Sequence, residues 1–159
     1  MGANKVLHNL PTFSTYALGA VIMLFLGWLF FLVYVLYCIF STLWFMRFIC
    51  AHCPHFDNPK CPSGYARVAA KLFKERDSKK FNDTFRRHIG IVFPSWILPV
   101  LAGIYLLYYE FSITLLVLFS IFIIMGFIML PVITKKYGCE DCNLKDSCPR
   151  MAGFKKRKG

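Results

Sequence analysis

Three stretches of this chain carry no charged residue: 15–46, 90–109 and 111–134. Each supplies the roughly 20 apolar residues that a helix needs to cross a hydrocarbon core about 30 Å thick. The pattern predicts an all-α integral membrane protein with three transmembrane helices, one long N-terminal helix followed by a C-terminal hairpin. A buried helical core in a soluble protein is excluded, because 159 residues leave no soluble mass to cover three such helices. The whole of 1–159 reads as a single membrane domain.

The first run is unusually long. From Ala17 to Met46 it would extend some 45 Å as a continuous helix, a surplus that tilt would absorb. A hairpin of two shorter spans would need a Pro, Asn, Asp or Gly-rich turn, and the residues around Trp28 offer none. One helix is therefore expected over 15–46, with Trp44, Phe45 and Arg47 as its interfacial end. The second span, 90–109, carries Pro94, Pro99 and Gly103, so a kink or an early first turn is expected there. The third, 111–134, closes at Pro131, just ahead of Lys135 and Lys136.

Between the first two spans lie a cysteine-rich stretch, 47–63, and a basic segment, 64–89. In the latter, Tyr65, Val68, Ala69, Leu72 and Phe73 recur at helical spacing, and Phe81, Phe85 and Ile89 follow every fourth residue after a break at Asp77-Ser78. Two readings fit a basic amphipathic helix of this kind. It can lie in the interface plane against anionic lipid, or pack on the end of its own bundle or on a neighbouring membrane subunit.

The net charge of +11 matters mainly through its placement. Of nineteen Lys and Arg, ten lie between Arg47 and Arg87, eight between Lys135 and Lys158, and only Lys5 elsewhere. If 90–109 and 111–134 form a hairpin, both basic regions share one side, which the positive-inside bias makes the cytoplasm. Three spans then put the N-terminus outside, with the C-terminus in the cytoplasm. The expected partner is a bilayer with an anionic cytoplasmic leaflet, and nucleic acid is not expected because topology already accounts for the charge.

No ionisable residue lies inside the three runs, which disfavours a pump or a secondary transporter. His8, His52, His55 and His88 lie outside the apolar runs, so haem ligation within the bundle has no support, and His88 beside Arg86 and Arg87 reads as an interfacial basic group. With no phosphate-binding glycine loop or serine-hydrolase motif either, no catalytic residue is assigned.

The candidate chemistry is in the cysteines. Cys50, Cys53 and Cys61 form a Cys-x-x-Cys pair plus a third Cys after seven residues, and Cys139, Cys142 and Cys148 repeat the arrangement with five. Both third cysteines precede Pro. Cys38, inside the first run, reads as a small hydrophobe. Thiols facing the cytoplasm are kept reduced, so metal binding or redox chemistry is expected rather than a disulfide framework.

Cys-x-x-Cys sets two sulfurs on one turn, facing a tetrahedral ion. Each trio is one ligand short. His55 or His52 could complete the first, whereas the second would need an acidic residue or water. Alternatively the hairpin brings six thiolates together. Used twice, the half-motif resembles the binuclear zinc cluster of fungal transcription regulators, which implies two metals sharing sulfurs. Those regulators are soluble, so the resemblance implies a ligand arrangement and no function. Structural zinc in an anchor, adaptor or complex subunit is the leading expectation. The alternatives are an iron–sulfur electron-transfer subunit and a membrane thiol oxidoreductase using Cys50/Cys53 or Cys139/Cys142.

Overall fold

A computed structural model describes residues 2–57, 61 and 63–134. Among them, four helical segments rather than three are long and apolar enough to cross a bilayer: Asn9–Leu26, Trp28–His52, Ser78–Tyr109 and Ile113–Ile133. Their outer faces are apolar and uncovered; Leu29, Leu36, Leu101 and Ile113 are all well exposed. Apolar surface on this scale has no place in water. The protein is built to sit in a membrane.

The single helix expected over 15–46 is two helices, α1 (Gly2–Leu26) and α2 (Trp28–Phe48). Gly27 alone separates them, with φ 133° and ψ 159°, a conformation open to glycine and strained for any residue with a Cβ. It closes α1 by donating to Leu24 (3.0 Å) and opens α2 by accepting from Phe31 (3.2 Å). The chain doubles back so tightly that a Cβ on Gly19 would overlap the Tyr34 ring. The expectation failed because it required a turn-rich segment, and one residue suffices.

Two short helices follow, α3 (Tyr65–Leu72) and α4 (Phe81–His88), then α5 (Pro94–Tyr109) and α6 (Ile113–Ile123). The last span continues from α6 through a π-helical turn, Ile124–Met129, into α7 (Leu130–Thr134). Pro131 lies just beyond that turn and removes an amide from the ladder, a local reason for the widened winding.

Helix α1 is central and packs against α2, α5 and the last span. Small residues make this possible, as is usual where helices meet without a hydrophobic driving force between them. Ser95, Pro99, Ala102 and Gly103 lie on the buried face of α5, Gly103 gives way to the Phe119 ring, and Gly126 lies against Thr15.

One cross-helix bond has a clear cause. Pro99 cannot donate to the carbonyl of Ser95 one turn earlier, and that carbonyl instead accepts the Tyr34 hydroxyl at 2.8 Å. Tyr37 does the same for Ile91 at 2.7 Å, in the 3₁₀ turn Ile89–Val92 that leads into α5. Thr15, Ser41 and Ser95 are fully buried and donate back to the carbonyls of Pro11, Cys38 and Val92. Among the described residues no buried side-chain nitrogen or oxygen lacks a partner, the condition a bilayer imposes.

Both reversals, at Gly27 and at Glu110–Ser112, lie at one end of the bundle. At the other end, Asn9 of α1 donates to the Ser63 carbonyl at 2.7 Å. The start of the first span is therefore beside the cysteine loop. Three spans had put it on the opposite side; the fourth, created by Gly27, brings it back.

Candidate functional site

Helix α2 runs out through Arg47 and Phe48, and the chain tightens into a 3₁₀ turn, Cys50–His52. Cys53 donates its amide to Cys50 at 3.1 Å and Phe56 donates to Cys53 at 2.8 Å, so the Cys-x-x-Cys pair is wound on successive tight turns. Asp57 follows in the left-handed region at φ 53°, where Asp is tolerated better than most residues.

Two of the three described site cysteines face inward. Cys50 and Cys61 are both 8 % exposed and Cys53 is half-buried. Cys50 packs with Met46 and Ala69, bordered by Phe45, Phe56, Tyr65 and Phe73. Cys61 places its sulfur 3.4 Å from the Ser63 hydroxyl. Cys53 and Cys61 lie within electrostatic reach of Cys50. Among the described residues no disulfide forms, and no three Cys, His, Asp or Glu side chains gather tightly enough to hold an ion. Cys139, Cys142 and Cys148 lie outside the described residues.

The two candidate histidines differ. His52 is buried, and its Nδ1 lies 2.8 Å from the Phe48 carbonyl. A carbonyl only accepts, so Nδ1 carries the proton and Nε2 is left with its lone pair when the ring is neutral. Metal-binding histidines are commonly held this way. His55, the other histidine considered for the fourth position, is half-buried in the turn that follows. Spacing could not separate them, since the distinction rests on which carbonyl lies within reach.

The loop is held from three directions. Arg76 donates its amide to Ala51 at 2.8 Å, Asn9 holds Ser63, and α3 covers the cysteines. Burial, then the neighbouring Tyr16 and Cys50, push the Tyr65 phenol up to about 12. The helical period expected for 65–73 is present, but its buried face is rotated. Ala66 and Ala69 are buried, whereas Val68 and Leu72 are 44 % and 56 % exposed. Small residues face inward because α3 lies close on α2 and the cysteine turn. On α4, Phe81 and Phe85 are half-buried and His88 stacks on Phe48 of α2 at 4.5 Å, so this segment packs on the end of its own bundle.

Sequence reasoning overlooked the seam of hydroxyls inside the bundle, where Tyr16 faces Ser95, Thr42 and Ser41. The signal was present as polar residues interrupting otherwise apolar runs. No family model, curated protein or solved structure matches this chain.

Proposed function

We propose that this is a non-enzymatic membrane protein, an anchor, adaptor or complex subunit, whose cytoplasmic end is stapled by zinc held between the two cysteine clusters. The observation that carries the reading is the return of the last span to the end where the first cluster lies. Gly126 lies against Thr15, α7 packs on α1, and Asn9 of α1 bonds to the cysteine loop. Cys139 follows Thr134 by five residues, a reach of at most about 18 Å. The described trio is a half-site on this reading, and the second trio completes it.

The donor chemistry fits. Thiolates with one imidazole nitrogen suit zinc, His52 Nε2 is the nitrogen prepared for it, and the apolar wall of Met46, Phe45 and Tyr65 would exclude water. The burial of Cys50 in that wall disfavours it as the attacking sulfur of a thiol oxidoreductase, which must be accessible. A metal here would add folding free energy to a juxtamembrane region with little core of its own.

Orientation follows from charge. The nineteen Lys and Arg are Lys5 and the residues within 47–87 and 135–158, three stretches that four spans put on one side. Lys5, the exception under three spans, joins the rest under four. The end with Gly27 and Glu110 carries no cation. The positive-inside bias then sets the cysteine end in the cytoplasm.

Elemental analysis of the full chain purified without oxygen tests the metal. Zinc is expected, and Cys61→Ser or Cys148→Ser alone should empty the whole site. Loss of only part of the metal in each variant would mean two separate sites. Iron with sulfide would replace zinc by an iron–sulfur centre, and metal-free protein would overturn the reading.

A further inference from the structure

Around Phe48 the structure gathers cationic and imidazole nitrogens. Arg47, in the last turn of α2, and Arg76, from the segment between α3 and α4, hold their guanidinium carbons 5.7 Å and 5.8 Å from the Phe48 ring centroid. His88, at the end of α4, stacks on the same ring with 22° between the planes. The three come from separate segments of chain, so tertiary structure assembles them. The backbone of Arg76 is fixed by a hydrogen bond from its amide N–H to the Ala51 carbonyl. Among the described residues no carboxylate forms an ion pair with any of the three.

Two guanidiniums within about 6 Å of one ring centroid concentrate positive charge at this surface. An anion would be attracted to it. The donors are also suitably presented. Trp44 Nε1 lies 3.3 Å from His88 Nδ1, and an indole nitrogen only donates, so Nδ1 accepts and the His88 proton is on Nε2. Every unused nitrogen in the cluster is therefore a donor.

Depth decides the source of the anion. Arg47 is the first charged residue after the chargeless run 15–46, where hydrocarbon gives way to headgroups, and Trp44, tilted against Phe48 one turn before, is the residue type of an interfacial belt. The geometry points to a site for the phosphoryl group of an anionic lipid headgroup, bound by Arg47, Arg76 and His88 Nε2 at the edge of the Phe48 ring, whose rim is positive where its faces are negative. Guanidinium forks match phosphate oxygens in pairs, which lysines do not. The site depends on membrane embedding and not on the metal.

The test uses the full chain in neutral detergent, with Trp28→Phe and Trp96→Phe so that Trp44 alone reports. Dihexanoylphosphatidylglycerol is expected to change Trp44 emission saturably, and dihexanoylphosphatidylcholine is not. Arg47→Gln with Arg76→Gln should weaken binding about a hundredfold, roughly tenfold for each charge-assisted hydrogen bond removed. Lys71→Gln with Lys80→Gln removes the same charge and should change it less than about twofold, as expected of exposed charges outside the site. Equal weakening by the lysine pair, or equal binding of the choline lipid, would overturn the site. Inorganic phosphate binding as tightly as the glycerol lipid would overturn the lipid as its source.

Discussion

At one end of the bundle the chain reverses twice with almost no loop, through Gly27 alone and through Glu110–Ser112. At the other, the segment between α2 and α5 winds through a cysteine turn, two short basic helices and two 3₁₀ turns before re-entering. The first end has no room for chemistry and depends on backbone geometry. The second carries the described site cysteines, every histidine with a described side chain and the cationic surface. A membrane protein can concentrate its function at one face in this way when an even number of spans returns every long segment to that face.

The bare end is the easier to break. Gly27→Val keeps its space, since a Cβ there would meet Phe30 only at 4.0 Å, but forces a β-branched residue to φ 133°. A loss of about 3 kcal/mol is expected, read as a lower unfolding midpoint in detergent.

Midway along the bundle, Tyr34→Phe leaves the Ser95 carbonyl, freed by Pro99, without its donor. About 1–2 kcal/mol is expected. Tyr37→Phe, at a half-buried hydroxyl nearer the interface, should cost less, and the order of the two midpoints checks the assignment.

At the cysteine end the expected effect is confined to alkaline pH. The Tyr65 phenol is raised from 10.0 to about 12, so the folded protein holds this proton more tightly than the unfolded chain. Its contribution is complete below pH 10 and lost as pH rises towards 12. Unfolding midpoints measured between those limits should fall more steeply for the wild type than for Tyr65→Phe.

Helical class, the location of the last two spans and the break before α4 were legible in the sequence, because chargeless runs and helical period report burial directly. The fourth span was not. Its signal is one glycine among bulky apolar residues, and the φ that only glycine adopts is visible only once Tyr34 is seen against Gly19. The cysteine cluster was legible as a motif, but not the preparation of His52 over His55, which depends on the Phe48 carbonyl. Of the stripe expected from Tyr65 to Phe73, Tyr65, Ala69 and Phe73 face inward, but Val68 and Leu72 do not, because hydrophobicity was weighed over size and close packing on α2 selected Ala66. The Phe48 cluster joins three segments and leaves no pattern in any one of them.

The most direct test is sidedness. Single cysteines at Ala3→Cys, Cys53 and Phe111→Cys, in a background with every other cysteine, Cys38 included, replaced by Ser, would be labelled with a membrane-impermeant maleimide in sealed vesicles of both orientations. Four spans predict that Ala3→Cys and Cys53 react from the cytoplasmic face and Phe111→Cys from the opposite one. Ala3→Cys reacting together with Phe111→Cys would mean that Gly27 does not turn the chain, and the account would fail.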